Sequence, residues 1–219
     1  MSPIVNGKSL KPRSGAAPKQ IVVLLHGYGS SGADMIALAP HWQEALPDAL
    51  FLAPHAPQRC GMMAAGYQWW GLSGFAPSAL AAGAASAAPA IDAFLDRKLE
   101  QYGLAEADLA LVGFSQGTMM ALHVGLRRPR AVAAVVGYSG MLTNTADLAK
   151  DFAKPPVLLV HGSADPVVPV AALHMAESEL RRLGVAVTSH VSFGVAHSVD
   201  PVALRLGRDF VAKGLLRAD

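Results

Sequence analysis

The sequence predicts an α/β fold, a mostly parallel central sheet flanked by helices on both faces. Three observations carry that prediction. Short apolar runs rich in β-branched residues alternate with helix-patterned segments almost throughout. Several of those runs are apolar without a break, as strands covered on both faces are. The 219 residues are 52% hydrophobic and only 16% charged, enough apolar material for a large core.

Ile21–Leu25 reads as the first buried strand, ended by the glycine-rich stretch Gly27–Gly32, with a helix following to about Leu46. Leu50–Ala53 is a second strand, stopped by Pro54 and Pro57. Residues 54–77 form an irregular loop rich in aromatic and methionine residues. Ala79–Ile91, broken by Gly83 and Pro89 and too short to span a membrane, reads as a small-residue loop leading into a helix. That helix is Ala90–Tyr102, with Ile91, Phe94, Leu95 and Leu99 on its apolar face and Gly103 as its stop. Ala110–Val112 is a strand and Gln116–Arg127 a helix ending before Pro129. Val132–Val136 and Val157–Val160 are strands, Ala171–Leu183 a helix closed by Gly184, Val185–Val191 a strand, and Pro201–Phe210 the last helix. There is no repeat or linker, so a single domain over residues 1–219 is expected, with 1–20 as a leading segment.

Composition excludes several classes of function. The formal charge of +2 is too even to direct the chain to nucleic acid or an anionic membrane. One cysteine, Cys60, excludes an intramolecular disulfide framework and a multi-cysteine metal site. The first twenty residues lack the apolar stretch of a secretion signal. A cytoplasmic location and no stable membrane insertion are the expectations.

The chemistry concentrates at Ser115. Gly113-Phe114-Ser115-Gln116-Gly117 lies between an apolar strand and a helix-forming run, the strand–turn–helix setting of a G-x-S-x-G nucleophile elbow. Side chains on the flanking glycines would crowd a turn that lifts the serine above the sheet. A serine hydroxyl needs a base, and in this architecture the acid and then the histidine follow it along the chain. His197, in the loop after the last strand, fits better than His123 or His174 within helices, or His161 and His190 on strands. Asp165, in the loop after Val157–Val160, suits the acid; Asp147 and Asp200 are rivals, and Asp200 stands where it would cap the last helix before Pro201. Two backbone N–H groups are expected to form an oxyanion hole, one from Gln116 at a helix N-terminus and one from Tyr28 in the glycine loop. His26 reads as a brace for that loop. Met62, Met63, Trp69, Trp70 and Leu72, with Val168 from the acid loop, are candidates to line an acyl pocket, although such residue types serve equally as an outlying core patch.

These elements, in order, resemble the phospholipase/carboxylesterase family of α/β hydrolases. The resemblance rests on Leu24-Leu25-His26-Gly27-Tyr28-Gly29, the Ala53–Pro57 loop, Trp69-Trp70, Gly113–Gly117, His161–Pro169 and Gly194–His197, and it spans about Ile21 to Phe210. It implies an α/β-hydrolase fold without a large cap domain. It also implies Ser115, Asp165 and His197 as nucleophile, acid and base, with no cofactor and no metal. Short to medium acyl esters are the implied substrates, and dimers occur among family members, so a homodimer is among the expectations. Acyl thioesters or lysophospholipids are alternatives with the same triad. An alternative of another class is a non-catalytic binding protein on this fold. In two places the chain departs from the common pattern: Trp69-Trp70-Gly71 in the aromatic loop, and Ala196 before the histidine.

Overall fold

The computed structural model describes residues 4, 7–61, 66–72 and 74–216. Among them the strands are Lys8–Leu10 (β1), Gln20–Leu25 (β2), Ala49–Ala53 (β3), Gln58–Arg59 (β4), Tyr67–Gln68 (β5), Leu109–Phe114 (β6), Ala134–Tyr138 (β7), Val157–Gly162 (β8) and Val187–Ser192 (β9). The helices are Gly32–Met35 (α1), Pro77–Tyr102 (α2), Gln116–Gly125 (α3), Ala171–Arg182 (α4) and Pro201–Leu215 (α5). One sheet runs β1-β3-β2-β6-β7-β8-β9, and every pairing in it is parallel except β1 with β3. The strands β4 and β5 form a separate antiparallel ribbon.

β2 is buried at every position because both faces of the sheet are covered. Successive side chains point to opposite faces. Ile21, Val23 and Leu25, with Leu109 and Leu111, join a core under α2, α3 and α4. Val22 and Leu24, with Ala110 and Val112, join a second core under α5 and the segment holding Met35, Ala39 and Trp42. The result is a three-layer α/β/α arrangement. Consecutive parallel strands leave their C-terminal ends, and the loops that follow them, on one edge of the sheet.

Besides the short β4–β5 ribbon within residues 54–77, which were expected to be irregular throughout, three elements depart from expectation. The helix expected to reach Leu46 stops at Met35 and continues only as a 3-10 segment over Ile36–His41 with Pro40 inside it, since Pro40 has no N–H for an α-helical bond. The stretch Ala79–Ile91 is helix rather than loop, part of the 26-residue α2. Alanine is the best helix former, and Leu80, Ala84, Ala87, Ala88 and Ile91 are buried, which outweighs local costs of about 1 kcal/mol for Gly83 and about 3 kcal/mol for Pro89. By length and composition α2 could cross a membrane, yet that buried face lies in the core. The third is β1, a three-residue edge strand with no apolar run to announce it.

Gly83 serves the packing of α2 directly. A Cβ there would lie 2.3 Å from the Trp70 ring, which is buried against the helix. Replacing a helical glycine by alanine ordinarily gains up to about 1 kcal/mol, whereas overpacking a full core costs about 1–3 kcal/mol. Trp70 has little room to move, so the clash wins. Gly83→Ala should therefore lower the urea midpoint, and a midpoint that rises would mean the ring can shift freely.

Candidate active site

β6 delivers Phe114 to the sheet edge and α3 begins at Gln116, which leaves Ser115 alone on the turn between them. Its backbone has φ 55° and ψ −116°, a left-handed conformation that costs a residue with a side chain about 1–3 kcal/mol. The surroundings enforce it. A Cβ on Gly113 would lie 2.3 Å from the Gly117 carbonyl, and one on Gly117 would lie 1.9 Å from the Leu25 oxygen. The Ser115 N–H donates to the Tyr138 carbonyl at 2.9 Å. The Thr118 hydroxyl lies 2.8 Å from the carbonyl oxygens of both Gly113 and Tyr138, tying β6, the turn and β7 together.

Asp165 follows β8, its carboxylate fully buried. Oδ1 accepts from the N–H groups of Val167 and Val168, both at 2.9 Å, and Oδ2 accepts from His197 Nδ1 at 2.7 Å. Burial pushes this carboxyl up, but the His197 bond and the two backbone donors outweigh it and hold it below the ordinary aspartate value. His161 stands behind: its Nε2–H donates to the Val168 carbonyl at 2.8 Å and lies 3.3 Å from Asp165 Oδ2. The His197 loop is laced to the acid loop. A Cβ on Gly162 would meet the Val195 oxygen at 2.2 Å, the Ala164 N–H donates to that same oxygen, and the Gly194 N–H donates to Ser163 Oγ. The imidazole of His197 rests on Phe114, ring centroids 4.8 Å apart, next to Ser115 in the chain. Among the described contacts no hydrogen bond of 3.5 Å or less joins the Ser115 hydroxyl to His197.

Neither rival carboxylate approaches this pair. Asp147 is ion-paired with Arg127, and Asp200 caps α5 by accepting from Val202 N–H at 2.7 Å and Ala203 N–H at 3.2 Å.

The glycine loop after β2 faces the elbow, with the space beside Gly27 bounded by Phe114 and Ser115. The Tyr28 and Gln116 N–H groups donate to no acceptor among the described residues. His26 is fully buried; its Nδ1–H donates to the Gly27 carbonyl and its Nε2 accepts from the Ala56 N–H. Burial pushes it down to about 4, so it is a neutral brace between two loops.

Trp69 and Trp70 are buried in the core beside α2, Leu72 is half-buried against that core, and Val168 is buried behind Asp165. Met62 and Met63 lie outside the described residues. Sequence reasoning missed the Gln116 side chain. It is fully buried, Oε1 accepts from the Trp69 N–H at 3.0 Å, and Nε2 donates to the Trp70 carbonyl at 2.9 Å. The available signal was a carboxamide at the head of a mostly apolar helix, where burial demands partners.

A mostly parallel sheet carrying a serine on a strained strand-to-helix turn defines an α/β hydrolase. Residues 12–215 match the Phospholipase/Carboxylesterase family, and the chain belongs to it. Its structure resembles that of esterase PE8, with 43% identity and a TM-score of 0.90 over 95% of this chain and 98% of the other. Esterase YpfH of Escherichia coli strain K12 is 25% identical over 191 residues, 87% of this chain and 81% of that protein. Acyl-protein thioesterase 1 of Gibberella zeae is 27% identical over 214 residues, 89% of this chain and 90% of its own. The chain is an ester-hydrolysing enzyme of the carboxylesterase kind.

Two buried histidines contribute to the pH dependence of the fold below neutrality. Burial pushes both His26 and His123 down to about 4, with the nearby Arg127 charge adding to the effect at His123. The folded state therefore favours the neutral rings. Their stabilising contribution is complete above the ordinary histidine value of about 6.5 and is lost as pH falls from there towards 4. At pH 5 each costs about 2 kcal/mol. The urea midpoint should fall between pH 7.5 and pH 5, and His123→Gln should make that fall smaller.

Proposed function

We propose that this enzyme hydrolyses carboxylic esters of short to medium acyl chain through an acyl-enzyme on Ser115, with His197 as base and Asp165 as acid. The observation that carries the reading is the 2.7 Å bond from His197 Nδ1 to the buried Asp165 carboxylate, on a loop seated beside the strained serine turn. An ionised Asp165 holds the Nδ1–H tautomer, leaving Nε2 free to accept a proton. Catalytic serine–histidine pairs are commonly loose before substrate binds, and on this reading Ser115 Oγ and His197 Nε2 come within hydrogen-bond reach only in the Michaelis complex.

In the first half-reaction Ser115 Oγ attacks the ester carbonyl and its proton passes to His197 Nε2. The carbonyl oxygen becomes an oxyanion facing the N–H groups of Tyr28 and Gln116. One such donor contributes about 3–4 kcal/mol to the transition state. The tetrahedral intermediate collapses, the alcohol leaves with the proton from His197, and the acyl group stays on Ser115. Water then attacks the acyl carbonyl as His197 takes its proton. The second tetrahedral intermediate collapses, the acyl–oxygen bond to Ser115 breaks, His197 returns the proton to Ser115 Oγ, and the acid leaves.

The reading extends to a small-molecule ester as substrate, one hydrolase domain, and a cytoplasmic location; a buried unpaired Cys60 suits a compartment that keeps thiols reduced. A thioester substrate is the second reading, supported by the likeness to a fungal acyl-protein thioesterase. The same triad attacks either carbonyl, and the two separate in a direct comparison of oxygen esters with thioesters of one acyl group.

Ser115→Ala should abolish turnover of a p-nitrophenyl ester and labelling by a fluorophosphonate while keeping the urea midpoint of the parent; retained turnover would refute the nucleophile. The 54–77 loop is too short for a large cap, so butyrate esters should turn over faster than palmitate esters. The opposite order in a graded ester panel would overturn the chain-length reading.

A further inference from the structure

We propose that Trp69 is a positioning residue that sets the span between the two oxyanion donors. The inference rests on the reading of the Tyr28 and Gln116 N–H groups as that pair. The donors belong to different elements, Tyr28 to the loop after β2 and Gln116 to the head of α3. Trp69 is bonded to both elements, to Gln116 through its side chain and to the loop after β2 at His26. Its backbone N–H donates to Gln116 Oε1 at 3.0 Å, and the other arm of the same carboxamide donates to the Trp70 carbonyl. On the opposite side its indole Nε1–H donates to the His26 carbonyl at 2.9 Å, and its ring stacks on the His26 ring with centroids 5.3 Å apart.

The neighbouring residues extend the grip past Tyr28. The Gly29 N–H donates to the Tyr67 carbonyl at 2.9 Å, and the Tyr67 N–H donates to the Ser30 carbonyl at 2.8 Å. Residues 67–70 therefore hold the glycine loop on both sides of Tyr28 and hold Gln116 by its side chain. All these groups except Tyr67 and the loop glycine region are in the dry interior: Trp69 is 1% exposed, and His26 and Gln116 are fully buried. Away from water such bonds are costly to break and strongly directional. Catalysis by preformed donors needs that rigidity, since a misplacement of about 1 Å can cost about 100-fold in rate.

The test is Trp69→Phe, which keeps an aromatic ring beside His26 and removes the indole donor together with part of the ring volume, a loss of volume that the control below shares. Its control is Trp42→Phe, which removes an indole N–H bonded to the Leu204 carbonyl at 3.2 Å from an equally buried tryptophan on the other face of the sheet. Three quantities are read on each: kcat and KM for a butyrate ester, the inhibition constant of a short trifluoromethyl ketone, and the urea midpoint. The ketone reports the hole itself: Ser115 Oγ adds to its carbonyl carbon, the serine proton passes to His197, and the new oxyanion sits between the two donors.

Trp69→Phe should lower kcat about 10-fold or more with KM within about twofold, and raise the ketone constant by a similar factor. Trp42→Phe should lose stability and keep kcat. Gln116→Met, which keeps the length of the side chain and removes both carboxamide bonds without adding charge, should repeat the Trp69 result and decides the matter if Trp69→Phe does not fold. An unchanged kcat in the folded variants, or a fall in kcat without a weaker ketone, overturns the proposal. If Ser115→Ala also retains turnover, the underlying reading fails; if Ser115→Ala is dead while these variants stay active, only the role of Trp69 fails.

Discussion

The left-handed backbone at Ser115 is the constraint from which the rest of the site follows. Such a conformation persists only where its surroundings leave no other, and here they act from three directions. Gly113 and Gly117 allow strand, turn and helix to approach within distances that any side chain would forbid. The Tyr138 carbonyl takes the serine N–H, and the Thr118 hydroxyl reaches the carbonyls on either side. Strain at one residue is thus offset by the packing of β2, β6, β7 and α3, the most thoroughly buried part of the molecule.

Electrostatics complete what the backbone begins. A bare carboxylate in the interior would be protonated or expelled. Asp165 stays ionised because three donors converge on it, two from its own loop and one from His197. The two backbone donors are a consequence of the turn that Pro166 and Pro169 stiffen. The carboxylate's orientation is therefore settled before the imidazole arrives, and the imidazole's orientation by the carboxylate. His26 uses the same principle in reverse: an imidazole kept neutral by burial, accepting and donating between two loops.

Much of this was legible in the chain. The unbroken apolar runs at Ile21–Leu25, Ala110–Val112 and Val157–Val160 read as strands because a sheet covered on both faces leaves no polar alternation. The glycines around Ser115 were readable because sterics alone dictate them. What escaped was decided by partners distant in sequence. β1 has no pattern of its own and exists because β3 offers an open edge. The alanine-rich half of α2 carries two residues that break isolated helices, and only its contact with Trp70 and the sheet shows why it stays helical. The Gln116 carboxamide reads as an ordinary polar residue until Trp69 and Trp70 are seen beside it, 46 to 47 residues away.

The loop bearing His197 is anchored at both ends, by the pairing of β9 with β8 before it and by the Asp200 cap of α5 after it. It is also stitched across its middle to the loop bearing Asp165. A segment so restrained has almost no conformational freedom left to surrender when an ester arrives. The corollary is that heat or denaturant meets no slack in this loop, and displacing the His197 ring means breaking contacts to the edge of the sheet.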